Sequence, residues 1–147
     1  MKLLDTEETI VIVTGSTEAA EARDRPLAVW LRQEIDRRGE GHAYRRAVIV
    51  GDSGYLSNDA LQQNPTIAIG GPGVNAVTHE FFGGLPTVFS EGERVYVQAD
   101  FESEVKRAGL WGADAVATSE AVDAFVVHGF LDDLLRRIWR FRMELLA

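Results

Sequence analysis

The sequence contains no cysteine and no long apolar run. Without a thiol among its 147 residues, the chain has no disulfide framework, no thiolate metal site and no cysteine nucleophile. The lack of cysteine fits a reducing compartment, and we expect a cytoplasmic protein. No segment approaches the roughly 18 apolar residues of a membrane-spanning helix, so we expect no membrane partner. Residues 1–8 turn acidic before an apolar run forms, so we also expect no signal peptide.

Basic charge is scarce as well. The chain has 15 Lys and Arg residues against 23 Asp and Glu residues, which gives a formal net charge of −8. Contacts with phosphate backbones need a basic surface, so we expect no nucleic-acid partner. The acidic residues are spread along the chain without forming a tail, which favours a role in solubility.

Strand-like and helix-like segments alternate along most of the chain, which favours parallel β-α units. The β-branched, apolar runs 9–14, 47–50 and 66–69 predict three parallel strands that are covered on both faces. After the first strand and a polar stretch, Asp24 is the predicted N-cap of a helix that has Pro26 in its first turn.

A β-hairpin is predicted at one edge of the sheet. The short runs 87–90 and 94–98 flank a three-residue connection that contains glycine. Residues 99–118 have no clear pattern, although Leu110 and Trp111 could plug one end of the core. The predicted fold is therefore a single α/β domain over residues 1–147. It is a three-layer sandwich with about three parallel strands, an antiparallel hairpin edge and a long C-terminal helix.

The C-terminal helix is predicted as one helix over residues 119–146. Its apolar positions wrap wider than one stripe, so more than one side of the helix must be buried. Either the fold covers both sides or a second copy of the chain does. The second option predicts a homo-oligomer formed through this helix. The apolar positions are Val122, Phe125, Val126, Val127, Phe130, Leu131, Leu134, Leu135, Ile138, Trp139 and Phe141.

All three predicted parallel strands end in small loops that contain glycine. Ligands of open parallel sheets bind at the carboxyl ends of the strands. If the strands are neighbours, the loops share one rim, and this convergence predicts a site for a small anionic ligand such as a nucleotide or a phosphate compound. The candidate ligand-binding residues are Gly15, Ser16, Asp52, Ser53, Gly71, Gly73 and Asn75.

The loop of residues 70–73 is the strongest single candidate on this rim. A strand runs into glycines and then into a helix with Pro72 in its first turn. The free N–H groups of Gly73, Val74 and Asn75 would face outward and favour an anion. The loop lacks the lysine of a P-loop and the full dinucleotide fingerprint. A tight strand-to-helix turn without a ligand is the alternative interpretation.

A histidine follows the same loop. Asn75 and His79 are four residues apart, so they share one face of the predicted helix. His79 could act as a general base near the rim, because histidine titrates near neutrality. A solvated surface histidine is the alternative.

Gly51-Asp52-Ser53 resembles the Gly-Asp-Ser nucleophile motif of the SGNH esterase family, and Asn58-Asp59 lies nearby. The resemblance implies a hydrolase with Ser53 as its nucleophile. It covers only these few residues, and the motif follows the second strand where the family has it after the first. No Asp-x-x-His pair follows near the C-terminus, whereas a serine nucleophile needs a base within hydrogen-bond reach. A polar loop in which Asp52 accepts backbone hydrogen bonds is the alternative.

No metal site is predicted. The three histidines lie far apart in the sequence, and no ligand pair has zinc spacing. Asp52 and Asp100 are the carboxylates that could form a magnesium site. Three classes of function stay open, namely a small-anion-binding module, an assembly protein and a serine hydrolase, and the sequence identifies no cofactor.

Overall fold

The computed structural model describes residues 5–81 and 83–146, with side chains through Trp139. Strands and helices alternate in the first part of the described chain, and three consecutive strands and two consecutive helices follow. The elements are β1 (Ile10–Thr14), α1 (Glu18–Arg38), β2 (Ala47–Gly51), α2 (Asp52–Leu56), a 3-10 turn (Leu61–Gln63), β3 (Thr66–Ile69), α3 (Ala76–Phe81), β4 (Thr87–Glu91), β5 (Val95–Asp100), β6 (Arg107–Gly112), α4 (Ala115–Val127) and α5 (Phe130–Leu146). None of the described helices is long and apolar enough to cross a membrane.

The six strands form one mostly parallel sheet in the order β2-β1-β3-β6-β5-β4. The first four strands of this order are mutually parallel, whereas β5 runs antiparallel to both β6 and β4. The mixed α/β fold and the hairpin at the sheet edge are thereby confirmed. The sheet has four parallel strands where about three were predicted, because β6 lies within residues 99–118, where the sequence shows no clear pattern.

Two apolar clusters cover the two faces of this sheet. One joins alternate residues of β1 and β3, such as Ile12 and Ile67, to α1, α4 and α5. The other joins the intervening residues, such as Val13 and Ala68, to Tyr55 of α2 and Val77 of α3. Every residue of β1 and β3 is buried as a result, which explains why both strands are continuously apolar or β-branched.

The first helix begins at Glu18, well before the predicted N-cap Asp24 and the predicted first turn with Pro26. Thr17 is its N-cap and accepts a hydrogen bond from the Ala20 N–H at 3.1 Å. Asp24, the predicted N-cap, lies inside the helix and is fully buried. The prediction was wrong because Thr17 already satisfies the helix start, which makes the polar residues up to Asp24 part of the helix.

The predicted C-terminal helix is two helices. Gly129 has a φ of 85° and separates α4 from α5, and its N–H donates to the Val126 carbonyl. This glycine ending is favourable because L side chains resist the left-handed conformation. The apolar residues of α5, including Leu134 and Trp139, pack into the core of the same chain. Phe141, also named for this helix, lies outside the described side chains.

Candidate functional site

The carboxylate of Asp52 joins the three glycine-bearing loops at the carboxyl ends of β1, β2 and β3. It accepts a hydrogen bond from the Ser16 hydroxyl at 2.5 Å, from the Ala76 N–H at 2.7 Å and from the Ser53 N–H at 2.8 Å. These donors belong to the β1–α1 loop, the start of α3 and α2. The loops therefore meet, and the groups through which they meet belong to the chain itself.

The charge of Asp52 is stabilised at this position. Burial would raise the pKa of the carboxyl group, but the hydrogen bonds from the Ala76 N–H, the Ser16 hydroxyl and the Ser53 N–H outweigh burial and lower its pKa. Asp52 is only 7% exposed. An ionised, nearly buried carboxylate with several donors is a structural anion, as at a helix N-terminus.

The helix after the loop of residues 70–73 starts later than the sequence predicts. It begins at Ala76, and the N–H groups of Val74 and Asn75 donate to the Gly71 carbonyl in a turn. Two of the three N–H groups that were expected to face an anion are therefore used within the chain. The correction follows from Asn75, whose side chain makes it the better start for the helix than Pro72.

Asn75 closes the crevice between β1 and β3. Its Nδ2 donates to the carbonyls of Val13 at 3.0 Å and Ile69 at 2.9 Å, one on each strand. Its Oδ1 accepts from the N–H groups of Val77 and Thr78. The strand order reverses between β1 and β3, which is where open sheets usually bind ligands. All hydrogen-bonding positions of this amide are filled, so its role here is to hold the two strands and cap α3.

Gly15 completes the closure of that crevice. A Cβ at this position would lie 2.1 Å from the Val74 carbonyl oxygen and 2.8 Å from the Cβ of Ala20. The backbone of the β1–α1 loop therefore packs directly against the loop after β3. Of the seven candidate residues, Gly15, Ser16, Asp52, Ser53 and Asn75 belong to this closed network.

The other two candidates line a cavity one strand further along. Gly71 and Gly73 border an open cavity of about 280 Å³ between the loop after β3 and the β6–α4 connection. The wall also includes Arg23 of α1 and Trp111 of β6. The sequence predicts neither residue as part of a site, because its pattern indicates neither the part of α1 before Asp24 nor β6.

Arg23 is the cationic side chain of this cavity wall. Its Nε and Nη2 donate to the two carboxylate oxygens of Asp24 at 3.1 and 3.3 Å. Asp24 is fully buried, whereas the Arg23 side chain is 36% exposed. Gly70 leaves the space for this carboxylate, because a Cβ there would lie 2.8 Å from Asp24 Oδ2. The buried anion thus orients the guanidinium at the edge of the cavity.

Trp111 forms a rigid part of the same wall. Its ring stacks on Tyr96 with the centroids 4.5 Å apart, and its Nε1 donates to Gln98 Oε1 at 2.9 Å. The indole also approaches Gly71 closely, since a Cβ there would lie 3.3 Å from Cε3. The carboxylate of Asp114, also in the wall, accepts a hydrogen bond from the Ala117 N–H at 2.8 Å and so caps α4.

The residues proposed for hydrolysis do not form a nucleophile with a base. Ser53 is exposed, and among the described residues no histidine hydrogen-bonds to it. His79 lies exposed in the last turn of α3. His128 caps the end of α4 and packs against Phe89 at 4.7 Å. The alternative interpretation, a polar loop in which Asp52 accepts backbone hydrogen bonds, agrees with the bonds that Asp52 accepts from the Ser53 and Ala76 N–H groups.

Asp52 and Asp100 lie at opposite ends of the parallel strands. Asp52 follows the carboxyl end of β2, whereas Asp100 pairs with Arg107 at the beginning of β6. Asp100 accepts hydrogen bonds from the Ser103 hydroxyl and from the Glu102 and Ser103 N–H groups, which lower its pKa. The magnesium pair considered from the sequence is therefore wrong, and the described residues contain no cluster of three metal-ligating side chains.

A larger cavity, of about 470 Å³, opens at the amino-terminal ends of the parallel strands. Its two cationic side chains are bonded within the chain. Arg137 binds Glu102 and Asp133, and Lys106 donates to the Ser103 carbonyl. The cavity beside Arg23 lies instead at the carboxyl ends of the strands, where parallel sheets bind ligands.

Comparison of the chain with known family models and with curated proteins finds no match.

Proposed function

We propose that this chain is a small-anion-binding α/β module whose ligand lies in the cavity between the loop after β3 and the β6–α4 connection. The observation that carries the proposal is the position of Arg23, a partly exposed cation fixed by the buried Asp24 at that cavity. A preoriented guanidinium binds carboxylate or phosphate oxygens with two N–H groups, and Arg23 has Nη1 left for this contact.

The electrostatics around the cavity support an anion. The wall includes the N-terminus of α4, a helix of 13 residues, whose dipole favours negative charge. The one carboxylate in the wall, Asp114, is engaged by the Ala117 N–H and by Arg94. The Gly71 and Gly73 N–H groups take no part in the hydrogen bonds that close the turn after β3, which leaves them as donors to the ligand.

The size of the cavity limits the ligand. About 280 Å³ is at the lower end of the range for ligand pockets, roughly 300–1,000 Å³. The cavity therefore accommodates a phosphate with a small organic group, while a nucleotide would place only part of itself inside. The flat face of Trp111 gives an apolar surface for that organic group.

The test is a titration followed by ¹H–¹⁵N NMR, with inorganic phosphate and adenosine monophosphate as probes. Binding is expected to shift the Gly71, Gly73 and Ala113 amides and the Trp111 indole N–H. Gly73→Asp is expected to abolish these shifts, because it adds a negative charge at the mouth of the cavity. Gly73→Asn is the matched control, since a Cβ at this position meets nothing within 4 Å. If both probes leave these signals unshifted in the unmodified protein, the proposal is wrong.

Arg23 itself is tested by Arg23→Lys, which keeps the charge but not the planar fork. We expect weaker binding of both probes with little loss of folding stability, because Asp24 retains a cation. Arg25→Lys on the same helix is the control, since Arg25 pairs with Glu21 and does not line the cavity. Equal affinities in the two variants would count against a direct contact with Arg23.

Two structural interpretations accompany the proposal. The strand order and the helices on both faces support a doubly wound, Rossmann-like sheet in three layers. Self-association through the C-terminal helix is the alternative function. The described part of the helix offers little apolar surface for such an association, because Leu131, Leu134 and Trp139 are buried within one chain. A cytoplasmic location stays a prediction.

A further inference from the structure

A smaller cavity lies at the amino-terminal ends of the parallel strands, next to the cavity of about 470 Å³. It has a volume of about 150 Å³ and lies between the end of α3 and the turn that leads from β5 to β6. Phe81, Leu85 and Val105 give its wall an apolar part, and Arg107 gives it a cation. The cavity beside Arg23 is at the carboxyl ends of β3 and β6, so the two cavities are separated by the length of the sheet.

Arg107 lies in this wall without a counter-ion among the described residues. Its guanidinium carbon lies 4.9 Å from the centroid of the Phe81 ring, and its Nε is buried with no described group as hydrogen-bond partner. No described carboxylate forms an ion pair with it, whereas Arg137 at the same edge pairs with two carboxylates. An unpaired donor of a charged group is expensive to bury, so an external acceptor would be stabilising here.

The acid that pairs with Arg107 in the sheet is hydrogen-bonded within its own turn. Asp100 is the β5 partner of Arg107, but its oxygens accept hydrogen bonds from Ser103 and Glu102 in its own turn. Asp100 and Glu80 still line the cavity, and their charges oppose a ligand with two negative charges. These two acids disfavour a dianion more than a monoanion, so the anion that best fits Arg107 and the apolar part of the wall is a monoanion with a short apolar tail.

We propose that Arg107 binds the carboxylate of a small aliphatic monocarboxylic acid, whose tail lies against Phe81, Leu85 and Val105. A volume of about 150 Å³ holds roughly five water molecules at about 30 Å³ each. That is the size of a carboxylate with a chain of two or three carbons. This site is independent of the anion site beside Arg23, and either one can exist without the other.

The experiment is a titration of the full chain with butyrate, followed through the Nε–H signal of Arg107 and the amides of Gly84 and Ser103. A saturable shift is expected with a Kd on the order of 1 mM, because a ligand of so few atoms gains little on binding. Butyramide, which has the same shape without the charge, is expected to give no such shift. Arg107→Gln should weaken butyrate binding roughly tenfold or more. Lys106→Gln removes the neighbouring cation and should change the Kd by less than about twofold.

Three outcomes would overturn the proposal. The first is a butyrate titration of the unmodified protein without a saturable shift at these signals, a result that does not depend on the folding of any variant. The second is an equal loss of affinity in Arg107→Gln and Lys106→Gln, which would indicate attraction by general charge. The third is tighter binding of inorganic phosphate than of butyrate at the same signals. None of these outcomes bears on phosphate binding beside Arg23, which is monitored at the Gly71 and Gly73 amides.

Discussion

The Oδ2 atom of Asp52 accepts a hydrogen bond from the N–H of Ala76 at 2.7 Å, although the two residues are 24 positions apart. Ala76 is the first residue of α3, so the carboxylate from the end of β2 caps a helix that follows β3. The positive end of a helix attracts anions. In this chain, the anion at the start of α3 is a side chain of the protein, and an external ligand would have to bind elsewhere.

Asp52→Asn is predicted to destabilise the fold by about 1–3 kcal/mol at neutral pH, because the amide loses the charge and one acceptor of three buried hydrogen bonds. The pKa of Asp52 is lowered in the folded state. Its contribution is therefore complete above the unfolded pKa of about 3.9 and is lost as the pH falls through the folded pKa. Urea unfolding of both proteins between pH 7 and pH 3 measures this difference.

The difference between the two proteins should shrink as the pH falls below about 4, because the unfolded chain then takes up a proton at Asp52 while the carboxyl group of the folded protein, with its lowered pKa, is still ionised. Asp59→Asn is the control, since Asp59 is exposed, and it should change stability by less than about 0.5 kcal/mol. A difference for Asp52→Asn that stays constant down to pH 2 would contradict the assigned role.

The buried strands could be predicted from the sequence because they are buried on both faces. Residues 10–14 and 66–69 are fully buried strands, since a continuous apolar run in a parallel sheet has few alternatives. Residues 47–51 also form a strand as predicted, although most of them are only partly buried at the edge of the sheet. The strand β6 was missed because Arg107, Gly109 and Gly112 interrupt its apolar pattern. Its assignment depends on pairing with β3 and β5, which are distant in sequence.

The convergence of the three loops could also be predicted, but the use of their polar groups could not. Strand ends in a parallel sheet share an edge, so Ser16 and Asp52 were expected to be near each other. Whether such groups bind a ligand or one another depends on distances of a few tenths of an ångström. Arg23 was missed for a different reason, because its helix was predicted to begin after it.

Gly15→Ala is predicted to destabilise the fold by more than about 2 kcal/mol, because the added Cβ would lie 2.1 Å from the backbone oxygen of Val74. Gly54→Ala is the matched control. Gly54 lies in α2 with nothing within 4 Å of its Cβ position, and alanine is favoured over glycine in helices. Thermal unfolding should show a lower Tm only for Gly15→Ala. Equal Tm values would mean that the two loops do not pack as closely as described.

Asn75→Asp is predicted to be more damaging than Asn75→Ala. Alanine leaves the carbonyls of Val13 and Ile69 without a donor, which costs about 1–3 kcal/mol for each group. Aspartate adds an oxygen that faces the same carbonyls and repels them. Urea unfolding at pH 7 gives the order. If aspartate were tolerated better than alanine, Nδ2 could not be the atom that joins β1 and β3.

Leu134→Ala is predicted to lower the free energy of unfolding by about 2–5 kcal/mol without changing the mass of the particle in solution. Leu134 is 1% exposed and belongs to the core of its own chain. Val127→Ala is the control for an apolar side chain at the surface, since Val127 is 69% exposed. Unfolding and analytical ultracentrifugation separate the two effects. If Leu134→Ala kept the stability of the unmodified protein but lost a self-associated state, the result would support assembly through α5.

Gly129→Ala tests why the C-terminal region forms two helices. Gly129 has a φ of 85°, and a Cβ there would meet nothing within 4 Å, so the cost of alanine is conformational alone. We expect a loss of about 1–2 kcal/mol, and a smaller loss for Gly129→Asn, because asparagine tolerates the left-handed region. Urea unfolding of the three proteins measures the order. If alanine were the most stable of the three, the region would favour the continuous helix that the apolar pattern of residues 119–146 predicts.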